Sequence, residues 1–590
     1  MRRTLLTTLA CVATAVAATA GGIPTARAAG TSAAATPTVT VNLGTAGKTP
    51  NRAGVGFLYG LTQDGSGPAD ALMQPLRPTL FRGGGARIAG HGWLGDGYRA
   101  GNGYRVRISS AIGQARRVTA APYNASYHLL VSDVWGADTE QPQNTVYPCD
   151  NGDCSNWASF VRQLVNDVRA SGVRVSYDIW NEPDGTGFWK RGVNSAQYFQ
   201  MWDTAVRAIR SVDPGAAIVG PSYSGYNGAW LTQFVGHTRD AGTLPTVLNW
   251  HFGNDPAADA ADAARIQRDA GVGPLPMTIN EYLFGDQQNP GDLAWYLARL
   301  TTSDVTGAAH AIWSDCCTAG TLTSVLTAGL NPQPTGEWWT YRAYANLTGR
   351  LAAVSTTDPA ATAAAAADQG AAKAGILLGT STGQTGAATV TVTGIPSWLT
   401  AGGRVWVAVQ RIPDQKPLAA PLTLSNSQLT VSGGTITVPV NRVAGTDAYS
   451  LLLTPQRQDP PGSGVPTVVD GAAFTYAGTW GQANGIPDML NGTANWSTTP
   501  GSTATLSFTG TKVALHAVKD VDQGILAVRV DGAAETRVDD YAPARNASGT
   551  VWTSPALPAG SHTLTVRVTG ERNPASAGTV VALDYAEITG

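Results

Sequence analysis

The sequence predicts an α/β fold: a (β/α)8 TIM barrel followed by a small β-sandwich and a C-terminal β jelly-roll domain. Three observations predict it. From residue 38 to about 350, short strand-like runs alternate with helical patterns, as in a parallel sheet covered by helices. Beyond Arg350 the helical period disappears, and alternating strands are separated by Gly, Asn, Ser and Pro. A Pro/Gly-rich stretch, Gln456 to Gly464, then divides two all-β segments.

In chain order, residues 1–28 read as a signal peptide. Arg2 and Arg3 form the positive region, Leu5 to Ala18 the apolar stretch, and Ala26-Arg27-Ala28 the small-residue cleavage pattern. The mature protein is therefore expected to be secreted, with no membrane partner. Residues 29–37 are Ala/Thr/Ser-rich and predicted disordered. The catalytic barrel is assigned to 38–350, opening with a short strand at Thr38–Asn42. Its eight strands are predicted at Val55–Tyr59, Thr79–Arg82, Tyr127–Val131, Val173–Trp180, Ala216–Gly220, Val247–His251, Met277–Asn280 and Ala309–Trp313. Trp157, Phe160, Val161, Leu164, Val165 and Val168 mark one face of a helix that Ser155 or Asn156 could cap and Gly172 ends. Tyr198, Trp202, Val206 and Ile209 mark another, which stops before Pro214-Gly215. A doubly wound sheet has the same local signature, but no Gly-x-Gly-x-x-Gly opens a helix here.

The sandwich is assigned to 351–456. An Ala-rich stretch, Pro359 to Ala374, leads to strands at Gly375–Gly379, Ala388–Gly394, Arg404–Ile412, Thr435–Val440 and Ala448–Thr454, packed on the barrel. Residues 457–466 form a linker, and 467–590 the jelly roll. The jelly-roll strands are predicted at Thr503–Phe508, Val513–Val518, Ile525–Val530, Thr563–Val568 and Thr579–Ile588, with hairpin turns at Asp531-Gly532 and Pro558-Ala559-Gly560. Trp480, Trp496, Tyr541 and Trp552 are expected there mainly as core.

Charged residues make up only 14% of the chain and the net charge is −2, so the electrostatic footprint of a nucleic-acid partner is missing. Seventeen tryptophans and eighteen tyrosines are many for this length; they suit a core, and sugar-binding clefts also use such flat aromatic faces. Cys11 leaves with the signal, and four cysteines remain for an oxidising compartment. Cys149 and Cys154 are predicted to close a turn-rich loop after the third strand; Cys316 and Cys317 form either a vicinal disulfide or two free thiols. No His/Cys spacing resembles a zinc site, so neither metal nor cofactor is expected.

Two stretches carry the chemistry: Tyr177-Asp178-Ile179-Trp180-Asn181-Glu182-Pro183 and Pro276-Met277-Thr278-Ile279-Asn280-Glu281-Tyr282. Each is a strand-forming run that ends in Asn-Glu, and Pro183 closes the first because it has no ladder N–H. Two carboxylates held at the C-terminal ends of strands suit glycosidic bond cleavage: one protonates the leaving oxygen, the other attacks or activates water.

With these residues the central region resembles the clan A glycoside hydrolases, retaining (β/α)8 enzymes. In that clan the acid/base glutamate follows an asparagine at the end of strand four, and the nucleophile is a glutamate at the end of strand seven. The resemblance assigns Glu182 as acid/base and Glu281 as nucleophile. Ile179-Trp180-Asn181-Glu182-Pro183, His251 after strand six and an attached β-sandwich look most like family 39, the β-xylosidase and α-iduronidase type. The C-terminal segment is similar to galactose-binding-like carbohydrate-binding modules, through Phe474 to Trp480, Phe508-Thr509-Gly510-Thr511 and Leu557 to Thr563. The implied substrate is an oligosaccharide or polysaccharide of plant or microbial origin. Asn181 is expected to donate to a sugar 2-hydroxyl, Arg82 to hold Glu281 ionised, His251 and Tyr282 to hydrogen-bond near it, and Trp313 to floor the apolar sugar face. A transglycosylase with the same carboxylates, or a catalytically silent sugar-binding protein, are the other readings; oligomeric state is not legible.

Overall fold

The structure, a computed structural model, describes residues 36–590 except 46, 85–103, 133–146, 254, 312–319, 330–331, 382, 463–466, 487–488, 559 and 590. The expected signal peptide, Trp313, Cys316 and Cys317 lie outside the described residues.

Eight parallel strands close into a barrel: Gly56–Leu58 (β1), Leu80–Gly83 (β2), Ser126–Ser132 (β3), Ser176–Trp180 (β4), Ala217–Gly225 (β5), Val247–Phe252 (β6), Met277–Tyr282 (β7) and Val305–His310 (β8). Phe57 opposite His310 completes the ring. Seven of these strands fall where the strand-like runs predict them. The eighth is a correction: it was expected at Ala309–Trp313 and runs instead from Val305 to His310. Its Gly307-Ala308-Ala309 core has little strand propensity. Small residues are needed there because the barrel strands crowd, and a Cβ on Gly56 would collide with the Ala308 carbonyl.

The helix predicted from Trp157 to Val168 spans Ser155–Ala170 and buries all six marked residues. Neither expected cap holds: Cys154 stands at the N-cap, and the Asp153 carboxylate accepts the Ser155 N–H at 2.8 Å. Gly172, at φ +74°, ends the helix as predicted. The second helix, Ala196–Val212, is capped by Ser195, whose side chain accepts from Tyr198 N. Cys149 and Cys154 form the expected disulfide. Within its loop, the Asp150 carboxylate accepts two hydrogen bonds from Arg191, at 2.8 and 2.9 Å, tying the loop after β3 to the loop after β4.

Thr38–Asn42, read as the opening of the barrel segment, belongs to the sandwich. It pairs with Ala353–Thr356 and Gly386–Thr393, and Ile436–Arg442 completes that sheet. The facing sheet runs Arg350–Leu351, Ala361–Asp368, Lys373–Thr380, Ala448–Thr454, Arg404–Ile412 and Leu422–Thr430. Thus the Ala-rich stretch contains a strand rather than serving only as a lead-in. Its alanines alternate between two cores: Ala364 and Ala366 join the barrel core, while Ala361, Ala363 and Ala365 join the sandwich core. Side chains that small let the helix Pro290–Thr302 lie close against the sheet; a Cβ on Gly379 would collide with the Trp295 backbone.

Two antiparallel sheets make the C-terminal domain, one ordered Thr475–Ala477, Thr503–Gly510, Gly560–Val568, Ile525–Val530 and Thr536–Asp539, the other centred on Val581–Thr589 and Lys512–Lys519. The first half of the linker is docked. Gln458 O accepts from Asn426 at 3.1 Å, Pro461 O accepts from Gln410 at 3.2 Å, and Gly462 packs on Pro421 and Trp339.

Between barrel and sandwich, Glu337 is buried with both carboxylate oxygens unbonded; His310 lies 3.6 Å from it and Lys416 3.8 Å. Burial foremost pushes its pKa up from 4.5 to about 8, Lys416 opposing and Asp414 adding to the rise. The folded protein keeps this proton while the unfolded chain has lost it, so stability from Glu337 falls as pH rises from 4.5 through about 8. Burial lowers the His310 pKa to about 3, which works in the opposite sense up to 6.5. A net loss from this pair is therefore expected between pH 6.5 and 8, at about 1.4 kcal/mol per pH unit. Urea unfolding midpoints should fall over that range, and Glu337→Gln should flatten the fall.

Candidate active site

The two glutamates leave the barrel at its C-terminal rim by different backbone devices. Glu182 follows β4 in a left-handed conformation (φ +45°), its N–H donating to Ser222 O at 2.9 Å. Two residues on, the Asp184 carboxylate accepts from Ser224 N (2.8 Å) and Ser224 Oγ (2.6 Å), fixing this loop to β5. Behind it, the Trp180 ring meets Trp157 and Trp189 edge-on at 6.1 and 5.4 Å. Glu281 lies within β7, where the pairing with β8 shifts register between Ile279 and Tyr282. Leu283 then turns through φ +66°. Glu182, Leu283 and Ser222 (φ +60°) are non-glycine residues in a conformation that costs energy, and all sit at this rim, where strain accompanies function.

Arg82, 2% exposed at the end of β2, organises the floor. Its Nε donates to Asp178 Oδ2 at 2.7 Å, Nη1 to Glu281 Oε1 at 2.5 Å and Nη2 to Asn181 Oδ1 at 2.8 Å. Burial alone would lower its pKa, but Asp178 and Glu281 more than offset this and the net shift is upward. A fixed positive charge thus bears on Glu281 and favours its ionised form. The bond to Asn181 Oδ1 also sets that amide's orientation, leaving Nδ2–H2 directed elsewhere. From the other side His251 Nδ1 lies 2.9 Å from Glu182 Oε1 and 3.8 Å from Glu281 Oε1. Burial foremost lowers the His251 pKa to about 4, with Glu281 opposing and Arg82 reinforcing, so the ring is neutral at neutral pH. One carboxylate oxygen of Glu182 and one of Glu281 lie within 4.8 Å of each other and of a His251 nitrogen.

Arg82, Asn181, Glu182, His251 and Glu281 therefore converge as the sequence places them. Tyr282 does not. Its hydroxyl donates to Gly54 O at 2.7 Å and lies 2.5 Å from the Tyr341 hydroxyl, so it packs away from Glu281. Asn280 and Glu281 both face inward, on Asp178 and Arg82, because the strand shifts register between Ile279 and Tyr282, and Tyr282 falls on the outer side of that irregularity. Beneath the site runs a polar network without an assigned role in the sequence reading: Ser222 Oγ donates to Asp178 Oδ1 (2.6 Å), Asn280 Nδ2 to Asp178 Oδ2 (2.9 Å), and Asn249 Nδ2 to Asn280 Oδ1 (2.8 Å). Asp178, buried in an apolar strand, was the available signal, since a buried carboxylate needs a partner. Also missed was a rim pair: Phe284, 44% exposed, stacks on Phe252 with centroids 4.3 Å apart.

Glu182, His251 and Glu281 are the set of His, Cys, Asp and Glu side chains among the described residues whose ligand atoms cluster as a metal site would require. They fit one poorly, because the Arg82 guanidinium already occupies Glu281 Oε1 and would repel a second cation.

Residues 149–250, which hold Glu182, β4 and β5, match a known family model. It is glycosyl hydrolases family 39. The likeness to family 39 thus stands over that segment. A Beta-xylosidase of Geobacillus stearothermophilus is 37% identical over 59 residues, covering 10% of this chain and 12% of that protein. A 3-O-alpha-D-galactosyl-alpha-L-arabinofuranosidase of Bifidobacterium longum subsp. longum is 25% identical over 346 residues, 50% of this chain and 28% of that one. The chain therefore spans less than a third of the length of these curated relatives. Among solved structures, N2152 from Neocallimastix frontalis (24% identity, TM-score 0.59) covers 71% of this chain and 100% of its own. A family 39 enzyme from Xanthomonas axonopodis pv. citri (15% identity, TM-score 0.51) covers 72% and 98%. At these identities the two structures bear on the fold, a closed eight-stranded barrel with added antiparallel sheets.

Proposed function

We propose that the protein is a secreted retaining glycoside hydrolase that cleaves plant or microbial oligosaccharides or polysaccharides by double displacement. One observation carries this reading: carboxylate oxygens of Glu182 and Glu281, at the ends of β4 and β7, within 4.8 Å of each other. Retaining sites hold their carboxyls about 5–5.5 Å apart, inverting sites ~6.5–9.5 Å to admit water between them. In the proposed reaction Glu281, held by Arg82, attacks the anomeric carbon while Glu182 protonates the leaving oxygen. Glu182 then takes a proton from water, which displaces Glu281. The Asn181 amide is oriented to donate to a sugar 2-hydroxyl, a contact that strengthens at the transition state.

The relatives' names make aryl β-xylosides and α-L-arabinofuranosides the first substrates to test. Proton NMR of the first product should show the substrate's anomeric configuration; an inverted anomer would overturn the mechanism. Product analysis with sugar acceptors separates hydrolysis from transfer, and no turnover on any glycoside would leave a sugar-binding protein.

Phe284 lies three residues from Glu281, within about 10 Å along an extended chain, roughly the span of two sugar rings. Its exposed face can meet the apolar face of a sugar beyond the cleavage point. Phe284→Ala should raise KM for oligosaccharides about tenfold and leave kcat on small aryl glycosides unchanged. Equal KM values for oligosaccharides would exclude that contact.

The jelly roll is proposed as a carbohydrate-binding module. Trp496, 41% exposed, lies across Gly481, where a Cβ would come 2.8 Å from the indole, so one ring face is backed by the sheet. Removing residues 467–590 should weaken action on polymer and spare small aryl glycosides, because tethering raises local substrate concentration without changing the chemistry. A collapse of small-substrate turnover would place the domain in the active site instead.

A further inference from the structure

Away from the barrel mouth, a cavity of 380 Å³ opens where the helix Gly336–Ala345, the sandwich sheet and the docked linker meet. Two half-buried cations line it. Arg342 donates Nη1 to Pro75 O at 3.1 Å and Lys373 donates Nζ to Asn346 O at 3.3 Å. Neither forms an ion pair among the described residues. The carboxylate acting on Lys373, Asp368, is engaged by Thr348 Oγ1 at 2.6 Å and Ala371 N at 3.0 Å. Asp459, on the linker wall, is held by Asn426 and by Arg457. Burial foremost lowers the pKa of both cations; Arg77 lowers both further, and Arg342 also acts on Lys373, while Asp368 opposes. Two cations thus share a recess whose lining carboxylate, Asp459, is bonded to Asn426 and Arg457 rather than to either of them.

The remaining walls have a different character. Trp339, Pro460 and Pro461 are apolar, and Gln410 and Ser450 add neutral hydrogen-bonding groups. Ligand pockets combine an apolar lining with a few polar groups in volumes of about 300–1,000 Å³. The geometry points to this cavity as a binding site for an oxyanion, a carboxylate or sulfate, carried on a ligand of sugar size, with Arg342 and Lys373 as its cationic contacts. Pro461 O and Gln458 O are tied to the sandwich at the same place, so a bound ligand would also hold the linker down.

Calorimetric titration of the full-length protein with sodium glucuronate, glucose and sodium sulfate tests it. Glucuronate should bind and neutral glucose should not. Sulfate should compete; if it binds as tightly as glucuronate, the anion alone is read, and if more weakly, the sugar ring contributes. Lys373→Met and Arg342→Gln should each weaken binding about tenfold, the worth of a hydrogen bond to a charged group. Both should keep full turnover on aryl glycosides. Should Arg342→Gln fail to fold through loss of its bond to Pro75, Lys373→Met carries the test alone. Glu281→Ala should bind glucuronate unchanged, which separates this cavity from the barrel mouth. Failure of both anions to bind, or wild-type affinity in the Lys373 variant, would overturn the site.

Discussion

Glu281→Ala should lose at least about 10⁴-fold in kcat on every glycoside the wild type cleaves, close to 5.4 kcal/mol of transition-state stabilisation. Without that carboxylate no covalent intermediate forms, and the neighbouring carboxylates are engaged elsewhere: Asp178 is fully buried against Arg82, Ser222 and Asn280, and Glu182 lies against His251. Glu182→Ala should behave differently. An aryl leaving group with a low pKa needs little protonation, so the first step survives, while the loss of general base costs about 10²–10⁴ in the second. Intermediate should then accumulate, and KM should fall together with kcat. Added azide, which needs no base, should restore turnover in Glu182→Ala and give a glycosyl azide of retained configuration. In Glu281→Ala the same anion should give the inverted azide by direct displacement. Measured rates and product anomers decide the roles: full activity in Glu281→Ala, or retained azide from that variant, would sink the assignment.

What was legible in the sequence follows from where local signals agree with tertiary demand. Barrel strands β1 to β7 are short runs of aliphatic, aromatic and β-branched residues between helices whose apolar faces repeat at helical spacing, and both patterns are imposed by the same buried layer. The glutamate pair was legible because Asn-Glu at two strand ends is a local feature. β8 and the strand Ala361–Asp368 were not, since each is built from small residues that gain their place from what presses against them: Leu80 and the barrel wall for Gly307, helix Pro290–Thr302 for the alanines. Leu422–Thr430 is polar and half exposed at a sheet edge, so it lacks the alternation that marks a buried strand. Thr38–Asn42 reads as a strand, but its partners lie more than three hundred residues away, and pairing across that distance leaves no local trace.

At the site, the same division separates the residues that touch a substrate from those that hold them. Arg82, Asn181 and His251 stand at strand ends and could be placed by counting strands. Asp178 could be seen as a charge in an apolar run, yet its role depends on Arg82, 96 residues earlier, meeting it at 2.7 Å. Tyr282 was misplaced because regular alternation through Thr278 and Asn280 would keep it inside, and the register shift that turns it outward leaves no local trace. Phe252 and Phe284 come together through the left-handed turn at Leu283, which no residue preference of leucine announces.

Arg82→Met should destabilise the barrel by about 3–5 kcal/mol, because it leaves the Asp178 carboxylate buried without its cation. Asp178 is fully buried, and its remaining donors, Ser222 Oγ and Asn280 Nδ2, are neutral groups that cannot balance a charge. Pairing Arg82→Met with Asp178→Leu removes both charges, so the double variant should recover part of the lost stability rather than show the sum of two losses. Activity should not recover with it. Glu281 Oε1 and Asn181 Oδ1 have lost their common donor in both variants, so the nucleophile and the amide aimed at the sugar are no longer held in register. Expected, then, are a low urea midpoint and low kcat for Arg82→Met, and a partly restored midpoint with the same low kcat for the double variant. A single variant as stable as wild type would show that Asp178 finds its charge balance elsewhere. A double variant that regained kcat along with stability would mean that Arg82 serves only to neutralise Asp178 and does not hold the catalytic groups.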